Sequence, residues 1–170
     1  MIVVVIIGIL AAIALPAFSR YVAKSKTAEA VGQLNRMWAG SVAYYEADHF
    51  IRQGGIVEAA PRQFPGPAAE EVGGAATDCC AHPGGKCPGN DVGFNGAVWQ
   101  ALEFSLSDPY RYKPFYESAG TGPDASFTAQ VRGNLDCDAV QSVFFRYGMV
   151  LPDSGDVGGA HATVSSNELE

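Results

Sequence analysis

MIVVVIIGILAAIALPAFSRY, residues 1–21, decides how the rest of the chain is read. No charge occurs from Met1 to Phe18, and Ile, Val, Leu and Ala surround the helix axis on every side as far as Leu15. A helix with no polar face cannot lie on a globular surface; it belongs in lipid or among other helices. Eighteen such residues reach roughly 27 Å at ~1.5 Å per residue, just short of a hydrocarbon core of ~30 Å. A secretory signal would begin with a basic stretch, but Ile2 and Val3 follow Met1 directly. Arg20, Lys24, Lys26 and Arg36 follow the run, and the positive-inside rule would hold that side in the cytoplasm. A basic leader ahead of Met1 would remove both conflicts. Within the run, Gly8 removes a side chain and lets a neighbour approach, and Pro16 removes the amide that would bond to the Ala12 carbonyl, which predicts a kink or freed backbone there.

The whole chain has 170 residues, 48% of them hydrophobic and 17% charged, enough for one domain and too few for two. Its formal charge of −7 is unevenly placed. Residues 1–52 hold five Lys/Arg against three Asp/Glu, and residues 53–170 hold six against fifteen. An acidic head on a mildly basic helix lacks the footprint of a nucleic-acid binder, so nucleic acid is not an expected partner. From Phe18 the apolar residues become one-sided: Tyr21, Ala28, Val31, Leu34, Met37 or Trp38, Val42 and Tyr45 recur at helical steps. This predicts an amphipathic continuation over 19–53, ended by Gly54-Gly55.

The run at residues 1–21 resembles the N-terminal helix of bacterial type IV pilins and the related secretion pseudopilins. In that family a basic leader ending in Gly is cut before a Phe-Thr-Leu-Ile-Glu-Leu-like stretch, whose first residue is N-methylated and whose acid registers a new subunit. That stretch is absent from these 170 residues, and the expectation is that the leader and first mature residues precede Met1. The resemblance implies a pilin-like α+β fold, with a long helix packed on a small antiparallel sheet. It also implies a filament-core stem containing Val5, Gly8, Ile9, Ala12, Pro16 and Phe18, in which the helix between Gly8 and Pro16 loses hydrogen bonds on assembly. The implied partners are other copies of the chain in a helical filament, the inner membrane before assembly, and the pilus assembly machinery. The implied role is an extracellular type IV pilus serving adhesion, twitching motility or DNA uptake. A minor pilin or type II secretion pseudopilin is the alternative within the family. A membrane-anchored periplasmic or surface binding domain is the alternative outside it.

Residues 53–96 hold ten Gly and five Pro, which predicts an irregular loop over 54–97 followed by a sheet head with a C-terminal loop over 98–170. Four cysteines in such a head point to an oxidising compartment and two disulfides. Adjacent Cys79 and Cys80 cannot join each other without distorting the peptide between them, so one takes Cys87 and the other Cys137. A zinc site on these residues or His82 is the competing reading, and the spacing fits it poorly. A short helix is expected near 98–104, then strands over 110–117, 126–132 and 142–147. Their inward residues would be Tyr112 and Tyr116; Phe127, Ala129 and Val131; and Val143, Phe145 and Tyr147. The tail should add at most one edge strand, near 162–165.

Asn134, Asp136 and Asp138 are spaced like the start of a calcium loop, but Ala139 and Phe145 occupy positions that need Gly and Glu, so a polar turn is the better reading. No metal or cofactor is assigned. His49, His82 and His161 are scattered and no nucleophile or phosphate-loop motif occurs, so an enzyme is not expected.

Overall fold

The computed structural model describes residues 2–66, 70–72, 79–89, 92–159 and 163–167. Helix α1 (Ile2–Glu46) takes up the first quarter of the chain. It continues through Pro16, where the Ser19 hydroxyl donates to the Pro16 carbonyl at 3.0 Å, so the expected interruption does not end the helix. The buried residues of α1 are Thr27, Ala30, Gln33, Leu34, Met37, Ser41 and Tyr45. Leu34, Met37 and Tyr45 lie on the expected face, but Tyr21, Ala28 and Val31 are exposed and Trp38 and Val42 half-buried. The stripe is rotated because Thr27, Ala30, Gln33 and Ser41 share the buried face with Leu34, Met37 and Tyr45, while Val31 lies outside it.

The helix ends at Glu46, short of the expected residue 53. Strands β1 (Phe50–Gln53) and β2 (Ile56–Ala59) form a hairpin, with Gly54 and Gly55 at φ +57° and +89°. Two consecutive residues of positive φ make the tight turn whose twist matches that of the flanking strands. Gly54-Gly55 therefore turns a hairpin and does not stop the helix.

The remaining strands are β3 (Glu70–Glu71), β4 (Lys113–Ala119), β5 (Ser126–Gly133), β6 (Ser142–Val150), β7 (Val157–Gly159) and β8 (Val164–Ser166), with helix α2 (Ala97–Ala101) ahead of β4. They form one antiparallel sheet in the order β3-β4-β5-β6-β7, and β8 pairs with the other half of β6. The architecture is thus the expected α+β, a long N-terminal helix packed on antiparallel strands. The tail supplies two short strands where at most one was expected; its predicted edge strand begins in part outside the described residues. Gly159 permits the first pairing, since a Cβ there would lie 2.2 Å from the Tyr147 carbonyl oxygen.

Strand β6 carries its side chains opposite to expectation. Ser142, Phe144, Gly148 and Val150 are buried, while Tyr147 and Met149 are exposed. Register decides this: Phe127 is opposite Gly148, Ala129 opposite Arg146 and Val131 opposite Phe144, and directly paired residues share a face. With β5 turned inward by Phe127, Ala129 and Val131, Arg146 must also face the helix. Its guanidinium lies 3.9 Å from the Trp38 ring centroid and donates to Asn35 Oδ1 at 3.0 Å.

The core is aromatic. Phe127 contacts Phe64, Trp38 and Tyr116 at centroid distances of 4.6, 5.2 and 5.7 Å, and Phe94, Trp99, Phe104 and Tyr110 form a second group under the loop. Helix α1 passes the C-terminal end of α2 at Gly40, where a Cβ would sit 2.3 Å from the Leu102 carbonyl oxygen. Gly40→Ala should lower the unfolding free energy by about 1–3 kcal/mol, the usual cost of overpacking. Gly32→Ala, whose Cβ meets open space, should raise it by ~0.5–1 kcal/mol through helix propensity; urea unfolding of the two variants checks both signs.

Candidate functional site

Among the described residues, none packs over the first part of α1. From Ile2 to Phe18 every large apolar side chain, Val5 and Ile9 included, is 51–77% exposed. Ala12 and Pro16 are exposed as well, and a Cβ on Gly8 would have no atom within 4 Å. The structure therefore gathers the expected stem residues on one uncovered rod. The helix is long and apolar enough to cross a membrane, and none of its most apolar stretch is buried. Exposure on this scale, far beyond the few hundred Å² of apolar patch usual on a monomer, marks an interaction surface.

Below the stem, polar contacts tie the helix to the head. Glu29 accepts the Arg111 amide at 2.7 Å and pairs with the Arg111 guanidinium at 3.6 Å. Arg36 donates to the Ser105 carbonyl at 2.9 Å and lies over the Phe104 ring. Farther along, the Ser41 hydroxyl donates to the Met37 carbonyl at 2.8 Å, so its oxygen must accept the proton of Tyr116, 2.8 Å away. Burial pushes the Tyr116 phenol well above its ordinary pKa, with the Ser41 hydrogen bond drawing it partly back.

The loop is riveted at adjacent residues. Cys79 joins Cys87 and Cys80 joins Cys137, which resolves the pairing that the sequence left open and uses all four thiols. These cysteines cannot then serve as zinc ligands. Cys87 also pairs through its backbone with Tyr110. The calcium-like residues form a turn: Asn134 accepts the Cys137 amide at 2.7 Å and donates to the Asp138 carbonyl at 2.8 Å, while Asp136 accepts the Asp138 amide and Asp138 the Val140 amide. Their oxygens are directed at the loop's own amides. Cys137 itself has φ +63°, a conformation the neighbouring turn hydrogen bonds and its disulfide hold in place.

His49 stacks on Tyr44 and its Nε2 lies 2.8 Å from the Tyr44 carbonyl; His82 opens a turn in the loop; His161 lies outside the described residues. Among the described residues no three His, Cys, Asp or Glu side chains converge. Comparison with protein-family models, curated proteins and solved structures finds no match to this chain. What sequence reading missed is the β1–β2 hairpin, whose Phe50, Ile51, Ile56 and Val57 are all exposed. Its signal was present as FIRQ-GG-IVEA, a Gly-Gly pair between β-rich tetrads.

The two bridges should differ in weight. Chain-entropy arithmetic gives about 4 kcal/mol for a loop the length of Cys80–Cys137 and about 2.5 kcal/mol for one the length of Cys79–Cys87. Removing the long bridge by C80S/C137S should therefore lower the denaturation midpoint more than C79S/C87S, and equal shifts would contradict this. For Tyr116, the unfolded chain releases the phenolic proton near pH 10 while the folded chain retains it, so this group's stability is whole below about pH 10 and falls as pH rises above it. Tyr116→Phe should cost ~1 kcal/mol at neutral pH and flatten that alkaline decline, measured by melts across the range.

Proposed function

We propose that this chain is the structural subunit of a type IV pilin-like filament, held in the inner membrane through its stem and then polymerised so that the stems form the fibre core. The observation that supports this most is the rod of uncovered apolar side chains, continuous with a helix whose second half is fixed to a disulfide-linked head. The motif at residues 1–21 resembles that of pilins. Head-to-tail association with a rotation that does not close generates an open helix of copies. Leaving lipid for protein gains little from water exclusion, so shape decides the assembly. The bare backbone at Gly8 and the amide missing at Pro16 are places where one stem can approach or adjust to another. Extraction and polymerisation are the work of assembly machinery elsewhere, and the fibre serves adhesion, motility or DNA uptake.

Shear-and-pellet fractionation of cells expressing the full chain tests this. The chain is expected in sheared fibres, and its recovery only in membranes would sink the proposal. Ile9→Asp should abolish fibres while the head keeps its near-ultraviolet circular dichroism. Because an acid at mid-helix also burdens insertion by ~2.5–3.5 kcal/mol, Gly8→Leu serves beside it. That variant remains apolar and should reach the membrane normally yet yield few fibres; wild-type fibre yield from both variants would count against stem packing.

A further inference from the structure

The β1–β2 hairpin and the outer face of the sheet are two uncovered surfaces of complementary character. Among the described residues the hairpin pairs only with itself and no strand covers either edge, and a lone two-stranded hairpin is marginal in water. It nevertheless exposes Phe50 by 66%, Ile56 by 63% and Val57 by 55%. Alternation places Phe50 and Arg52 on one face, with Ala59 and Val57 directly across from them. That face is a hydrophobic knob with a single cation. On the sheet side away from α1, Glu117, Thr128 and Tyr147 form one cross-strand row and Ala119, Ser126 and Met149 the next. Between β4 and β5 lies an open depression of about 210 Å³ lined by Glu117, Ser118, Ala119, Ser126, Phe127 and Thr128, bordered on β6 by the exposed Tyr147 and Met149. A cavity of ~150 Å³ accepts benzene, so this one accommodates an aromatic ring. Neither Arg52 nor Glu117 has an ion-pair partner among the described residues.

Lipid is not the occupant of either surface when the stem is in a membrane. The helix runs about 40 Å from Phe18 to Glu46 at ~1.5 Å per residue, which places the hairpin well beyond the bilayer. The knob and the depression are different patches, so each contact pairs unlike surfaces of two copies. Their common height is informative: Tyr45, at the hairpin end of α1, donates to the Gly122 carbonyl just beyond β4, and Gly122 donates to the Arg62 carbonyl just beyond β2. Knob and depression therefore lie at the same end of the head. Joining them is compatible with two copies side by side and their helices pointing the same way, as copies held in one membrane stand.

We propose that the β1–β2 hairpin of one copy docks on the outer face of the β4–β5–β6 sheet of the next, with Phe50 in the depression and Arg52 paired with Glu117. Used in one direction from copy to copy the contact is heterologous, and with a rotation that does not close it propagates from head to head; a closed reciprocal pair would give a cross-linked dimer and no ladder. It rests on the self-assembly reading above and adds to it a specific interface outside the stem.

The test uses full-length protein with cysteines introduced at Ala59, beside Phe50, and at Ala119, on the rim of the depression, followed by oxidative cross-linking in membranes and in sheared fibres. Chains carrying only Ala59→Cys or only Ala119→Cys should give no cross-linked dimer alone and should give one when co-expressed; the double variant should give a ladder. Arg52→Glu or Glu117→Arg in the double-cysteine background should reduce the ladder about tenfold, and the charge swap R52E/E117R should restore it to within about twofold. Fibres without a ladder, or a ladder indifferent to both charge reversals, overturn the contact while leaving the filament reading in place. A ladder without fibres supports the contact and sinks the filament reading.

Discussion

Phe127 is the side chain on which the layers of this molecule meet. It projects from the middle strand of the sheet toward the helix, with Trp38 of α1, Phe64 of the loop and Tyr116 of β4 around it and Gly148 of β6 across from it. A Cβ at position 148 would lie 2.2 Å from its ring, so the glycine is what gives the ring room. Once Phe127 points inward, β5 has a fixed face, the register gives β6 the same face, and Arg146 is brought under Trp38. The helix is then seated by small side chains and by hydroxyls whose bonds are completed across the interface, as at Ser41 and Tyr116.

Much of this was legible from the residues alone. The uncharged run to Phe18, the change to one-sided patterning after it, the alternation in β5 and the need for two separate cysteine bridges are all local signals, each readable within a short window. The misreadings share a cause. The outward strand face of β6 carries Val143, Phe145, Tyr147 and Met149, a more hydrophobic set than the inward Ser142, Phe144, Arg146 and Gly148, and only pairing with β5 decides between them. The helix face was misjudged in the same way, because Thr27, Ala30 and Ser41 are buried for their size and hydrogen bonds while Val31 is left outside. On pattern alone residues 50–53 read as the end of the helix and 54–59 as loop, because Gly54-Gly55 reads as a stop signal and not as the turn between two β-rich tetrads.

The β6 face that misled the pattern also connects fold to association. Hydrophobic residues turned away from a core either reflect ordinary surface composition or await another surface. Here they adjoin an open depression, on a head whose helix already extends an uncovered apolar rod. Stem and head thus present separate contacts: the stem is apolar on all sides and undiscriminating in direction, while the hairpin and sheet carry charge and shape that can select an orientation.

The adjacent cysteines have a consequence for proteolysis. Because Cys80 is joined to Cys137, a protease that cuts the backbone anywhere in the 57-residue interval between them leaves two pieces still bound to each other. For any such cut, the piece carrying β6 and the tail stays attached to the piece carrying the helix. A copy nicked within that interval keeps its helix and its last strands in one covalent unit.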